Sequence, residues 1–177
     1  MKIKDIKEEI KKYFFVNPTA KIRVRQIEKE LKLPLPSVIR YAKDLEKEEI
    51  LKKEKVAGVV LFSADRVSKY FLLEKKIYNL KQLYESGLVE YLVSELSNPV
   101  IIVFGSYSKG EDFENSDIDL YIQTPSKKEI KLEKFEKLLK RRIQLFIHSN
   151  LKKVNNPHLM NNIINGMILN NFIEVFT

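Results

Sequence analysis

The chain has 177 residues, 44% of them hydrophobic, with 32 Lys and Arg against 24 Asp and Glu and a formal net charge of +8; that suffices for one ordinary domain or two small ones and favours polyanionic partners. Cysteine is absent, which excludes disulfides, a thiolate nucleophile and a cysteine zinc site, so any metal must be held mainly by oxygen. No apolar run approaches the roughly 20 residues that span a bilayer, and the charged start MKIKDIKEEI is unlike a signal peptide, so a folded cytoplasmic protein is expected.

Ile3, Ile6, Ile10, Tyr13 and Phe14 recur at helical spacing, which predicts a helix over 3–15 stopped by the Asn17-Pro18 turn. A second helix follows over Arg25 to Leu33, and after LPLPS a third runs over 36–48. ILKKEKV and GVVLFSA read as two strands meeting at Ala57-Gly58, where glycine supplies the positive φ of a tight hairpin. Helix, helix, turn, helix, hairpin resembles a winged helix-turn-helix domain, assigned to residues 1–65. The resemblance implies that the third helix enters a DNA major groove. Its Arg40, Lys43 and Lys47 fall within about 60° of one another on a helical wheel, opposite Val38, Ala42 and Leu45. Asp44, Glu46, Glu48 and Glu49 dilute that basic face, so protein contact or a purely structural use stands as the alternative.

From Asp65 to Leu96 apolar residues (Val67, Phe71, Ile77, Leu80, Leu83, Leu88, Leu92) recur with one interruption at Ser86-Gly87. They predict a connecting helix and then a helix that opens a second domain, over 66–177; Asn98-Pro99 ends it. Val100 to Phe104 is a continuous apolar run, the pattern of a strand covered on both faces, and it stops at Gly105-Ser106. DIDLYIQ then reads as a second strand with Asp117 and Asp119 on one face and Ile118 and Leu120 on the other. Two like charges a few ångström apart repel unless a cation sits between them. Carboxylate oxygens suit Mg²⁺, which binds through a few carboxylates together with substrate phosphates. Gly105 lets a phosphate approach the backbone, the Ser106 hydroxyl and the N–H groups after it can cradle phosphate oxygens, and Lys109 adds a cation.

FGSYSKGE followed by SDIDLYI resembles the signature of the DNA polymerase beta-like nucleotidyltransferase superfamily, most closely its minimal nucleotidyltransferase type; NLKQLYESGLVEYL resembles archaeal members. The resemblance implies an α+β fold in which a mixed sheet is flanked by helices. It implies Asp117 and Asp119 as catalytic metal ligands, with Gly105, Ser106, Lys109 and Ser116 on the nucleotide. It further implies two Mg²⁺ ions, with Mn²⁺ as a substitute, an NTP donor, and a hydroxyl acceptor that in small members can be a side chain of a toxin-like protein partner and elsewhere in the superfamily a drug hydroxyl or an RNA end. Such enzymes usually add a third carboxylate from a later strand. Here that strand is RRIQLFIHS and the aligned position holds Gln144, an amide that brings no charge and is no base. Either Glu111 or Asp112 substitutes for it, or the domain senses nucleotide without turnover in a DNA-binding regulator.

Other segments carry less chemistry. His148 and His158 lack carboxylate neighbours at metal-ligand spacing and read as structural or exposed. KKEIKLEKFEKLLKRR, 127–142, predicts a helix whose lysines form a solvated face, with Lys140, Arg141 and Arg142 able to steer an anionic acceptor. LMNNIINGMILNNFIEVF predicts a helix, an interruption at Gly166 and a final strand. Tyr107 and Tyr121 flank the motif as candidates either for base stacking or for packing.

Overall fold

The computed structural model describes residues 5–174, which fall into two compact units divided between Tyr78 and Asn79. Among them no helix is long and apolar enough to cross a membrane.

In the first unit, α1 (Ile6–Val16) starts where the Asp5 carboxylate accepts from the Lys7 and Glu8 N–H groups, satisfying donors that a helix start leaves open. Residues 3 and 4 of the expected helix lie outside the described residues. Helices α2 (Val24–Leu31) and α3 (Leu35–Lys47) follow. The α3 residues Val38, Ala42 and Leu45, spaced four and three apart, are fully buried against Ile10, Phe14 and Ile27. Strands β2 (Leu51–Val56) and β3 (Val59–Ala64) pair as an antiparallel hairpin. Its turn puts Ala57 at φ 48° and Gly58 at φ 80°, the double left-handed geometry that matches strand twist. A two-residue strand β1 (Lys21–Ile22) pairs with β3. It is too short to leave a period in the sequence.

Helix α4 (Lys69–Glu85) carries residues of both units, and α5 (Leu88–Glu95) begins after Gly87, whose φ of 76° turns the chain between them. The second unit then runs β4 (Val100–Phe104), α6 (Gly105–Lys109), β5 (Ile118–Gln123), α7 (Glu133–Leu139), β6 (Ile143–His148), a 3₁₀ turn (Leu151–Lys153), α8 (Pro157–Ile164) and β7 (Met167–Asn170). Its sheet has the order β6-β5-β4-β7, with β5 and β6 parallel and the other pairs antiparallel. Apolar residues alternate onto two covered faces. Ile101, Val103, Ile118, Leu120 and Ile122 meet Leu88, Leu92 and Phe135, while Val100, Ile102, Phe104 and Tyr121 meet Leu151, Val154 and Ile163. Every residue of β4 is buried, as its unbroken apolar run requires.

The helix expected over 127–142 is confined to 133–139. Before it, Thr124 and Ser126 hydroxyls accept from the Ser126 and Lys128 N–H groups, a local alternative to helical hydrogen bonding. Ile130 and Leu132 are drawn onto the first sheet face, and the Lys131 N–H donates to the Tyr91 hydroxyl.

Leu120 sits fully buried at the centre of this sheet. Leu120→Ala is expected to cost about 2–5 kcal/mol of stability, read as a lower midpoint in urea-induced unfolding.

Candidate active site

The end of the sheet where β4 stops and β5 starts gathers the sequence-predicted residues of the second unit. Phe104 pairs with Asp119 across the antiparallel β4–β5 ladder, so the turn at Gly105 follows directly beside the Asp119 carboxylate. Gly105 has φ 73°, and a Cβ built there would fall 2.6 Å from Asp119 Oδ2. Glycine is therefore demanded twice at this position, by the backbone conformation and by the carboxylate that occupies the space a side chain would need. From Gly105 the chain enters α6, whose first N–H groups have no intrahelical acceptor. Ser106 is half-buried in that turn and Lys109 is exposed at its end.

Asp117 immediately precedes β5 and Asp119 is its second residue. Burial first, and the charge of Asp117 second, hold the Asp119 carboxyl above the usual aspartate range. On the far side of β5, the parallel register sets Gln144 of β6 beside Asp119, on the same face of the sheet. Among the described residues no group of three or more Asp, Glu, His or Cys is disposed to hold a metal.

The expectation that Asp112 replaces a third carboxylate is corrected by its surroundings. Asp112 is 1% exposed. Its Oδ1 accepts from Asn79 Nδ2 at 2.7 Å and its Oδ2 lies 3.6 Å from Arg141 Nη2, so its charge is committed to a buried network. Asn79 Nδ2 also donates to the Tyr107 carbonyl at 2.9 Å. These contacts tie the α6 turn to the segment that enters β6. Glu111 is exposed in the loop, with its N–H donating to the Ser106 carbonyl. The Asn79–Asp112–Arg141 network carries no spacing signal, because its members lie on three separate elements.

Residues 85–170 match the model of the nucleotidyltransferase domain family. The match supports nucleotidyl transfer in general, and it spans the Gly105 turn, both aspartates and Gln144. Comparison with curated proteins and with solved structures gave no match.

Within the matched segment the remaining candidates lie in different surroundings. Ser116, expected on the nucleotide, accepts through Oγ from the Phe113 N–H at 2.9 Å in the turn before Asp117. Tyr107 and Tyr121 are core residues, 5% and 0% exposed, which removes them as base-stacking platforms. His148 stacks on Tyr121 with ring centroids 5.9 Å apart, at the end of β5 and β6 away from the aspartates, and exposed His158 lies in the first turn of α8. A cleft of about 810 Å³ opens beside Asp117, lined by the 114–117 loop and by Glu133, Glu136, Lys137, Lys140, Arg141 and Arg142. In the other unit Arg40, Lys43 and Lys47 are all exposed on α3, with the Arg40 guanidinium 4.4 Å from the Tyr41 ring centroid.

A carboxyl whose folded value lies above its unfolded one binds protons more readily in the folded state. The metal-free fold therefore loses stability as pH rises from the unfolded value, about 3.9, through the raised one. Asp119→Asn should accordingly raise the metal-free unfolding midpoint at neutral pH and leave it unchanged at about pH 3. Asp117→Asn should lower the Asp119 titration midpoint in a carboxyl-detected NMR titration; an unmoved midpoint would show that the two charges do not interact.

Proposed function

We propose that the second unit transfers a nucleoside monophosphate from an NTP to a hydroxyl acceptor. The observation that carries this is the abutment of the Gly105 turn on Asp119, inside the matched segment: a phosphate-accepting turn and a pair of repelling carboxylates share one end of the sheet. Their donor set fits hard divalent cations. Asp117 and Asp119 supply two carboxylates, the Gln144 amide oxygen is a neutral donor in register with Asp119, and phosphate oxygens and water complete an oxygen shell. Two Mg²⁺ ions, or Mn²⁺ in their place, when bound would supply positive charge that lowers the repulsion and stabilises the phosphate's developing negative charge.

Around that site the chain's own residues have separate tasks. The turn at Gly105–Ser106 binds triphosphate oxygens through backbone N–H groups, with Lys109 adding a cation. Asp117 and Asp119 would hold the cations at the end of the sheet where the turn receives the triphosphate. The acceptor's hydroxyl oxygen forms a bond to the α-phosphorus while the bond to the bridging oxygen breaks, and pyrophosphate leaves in line. Gln144 takes up no proton, so the hydroxyl proton passes to water.

For the first unit the favoured use is that of a winged helix-turn-helix, with Arg40, Lys43 and Lys47 of α3 against DNA phosphates and the β2–β3 hairpin as the wing. Support comes from the order of three helices and a hairpin and from the exposure of those three cations. Gln144 supports a second reading, in which the transferase unit binds nucleotide without turnover and the protein acts as a nucleotide-sensing regulator.

Calorimetric titration with ATP, GTP, CTP and UTP, with and without Mg²⁺, is expected to show Mg²⁺-dependent binding of at least one nucleotide. The Asp117→Ala, Asp119→Ala double variant should lose it. Binding that persists in the variant would sink the site. Turnover by the wild type would favour the enzyme, whereas turnover seen only after Gln144→Asp would favour the sensor.

A further inference from the structure

Helix α4 carries apolar residues on two opposite faces, and the fold of the chain uses one of them. Phe71, Lys75, Asn79 and Leu83, spaced four apart, are buried. At 100° per residue the opposite face carries Tyr70, Leu73, Ile77 and Tyr84 within about 60° of one another. These four side chains are 40–55% exposed, a stripe along one continuous helix. The solvent face of a helix is ordinarily polar, so large apolar side chains recurring along it mark a contact surface.

The order of residues along the stripe indicates what it meets. Counted from Ile77, a tyrosine stands seven residues before and another seven after. Leu73 and Glu74 stand four and three before it, Leu80 and Lys81 three and four after. The stripe therefore reads alike in both directions, with glutamate and lysine exchanged. Such a surface complements itself when a second copy is turned end for end about Ile77, the isologous contact of a two-fold dimer. Ile77 then lies on Ile77, Tyr70 meets Tyr84 of the other copy, and Leu73 meets Leu80.

Charge favours the same arrangement. Glu74 and Lys81 project on one side of the stripe, about 60° and 40° from Ile77, so turning a copy end for end sets each Glu74 opposite a Lys81. Glu74 reaches Lys11 and Lys81 reaches Glu85 within the chain, yet the two side chains are 46% and 65% exposed and have surface left for a second contact. Lys69 and Lys76 stand about 90° from the stripe, at the rim, where solvent screens them. Beside Tyr70 and Leu73 a hollow of about 420 Å³ opens against buried Ile50, in the path of Leu80 and Tyr84 of the second copy. The Tyr84 hydroxyl donates to the Leu169 carbonyl at 2.9 Å, which fixes the ring that the stripe presents.

We propose that α4 is a dimerisation surface whose occupant is α4 of a second copy of this chain, antiparallel and centred on Ile77. The proposal is independent of nucleotidyl transfer.

The chain has no cysteine, so every engineered thiol is unique. Sedimentation equilibrium of the full chain should give a mass that approaches twice 20.9 kDa as concentration rises. Ile77→Arg should raise the dissociation constant about tenfold or more. Ile77→Cys, treated with an added oxidant, should form a disulfide-linked dimer, because a two-fold axis through residue 77 brings its two copies together. Leu73→Cys and Leu80→Cys proteins, mixed, should cross-link to each other in preference to themselves. Lys81→Glu alone should weaken the dimer, and the exchange Glu74→Lys, Lys81→Glu should restore it. A wild type that stays monomeric up to its solubility limit would overturn the proposal, as would a monomer that binds vesicles of anionic phospholipid and loses them on Ile77→Arg. A dimer in which Ile77→Cys stays reduced would overturn it too, since another surface would then hold the copies. Should Ile77→Arg lower the urea midpoint, the cysteine pairs and the charge exchange decide.

Discussion

Two carboxylates at the start of a strand that is otherwise core form the constraint around which the second unit is built. Asp119 is held above its usual titration range by burial and by Asp117, and among the described residues no ion pair with Lys or Arg offsets it. On the proposed function a divalent cation neutralises the pair. Gly105 leaves room for the carboxylate where any side chain would collide. The network of Asn79, Asp112 and Arg141 pins the turn on one side and the entry to β6 on the other. The two aspartates are thus framed by charges that are paired with one another in the fold.

The same division explains what could be read from residue order. Continuous apolar runs and period-two alternation reveal β4 and β5, because a strand's environment is written into its own residues. The aspartates stand out for the same reason, as breaks in a core pattern. The register that brings Gln144 beside Asp119 was visible only through family resemblance, since pairing between β5 and β6 leaves no mark within either strand. Asp112 was misjudged because a carboxylate two residues past the motif's Gly110 looks available in one dimension. Its burial depends on Asn79 and Arg141, more than 25 residues away on either side.

Smaller misjudgements follow the same logic. The lysine-rich segment 127–142 has a helical pattern throughout, yet only 133–139 is helical, because hydroxyls at Thr124 and Ser126 capture local N–H groups and Ile130 is pulled to the sheet. Strand β1 has two residues and exists only through its pairing with β3. The hairpin turn at Ala57-Gly58, by contrast, is set by a local backbone requirement and was legible at once.

The proposed function requires that the two aspartates hold cations against a nucleotide. A crystal grown with Mn²⁺ and an NTP analogue that cannot release pyrophosphate tests this most directly, through the anomalous signal of manganese. The expected result is anomalous density between the Asp117 and Asp119 carboxylates, with triphosphate oxygens at the Gly105–Ser106 turn. Nucleotide bound elsewhere, or at the turn with no manganese at the aspartates, would contradict it.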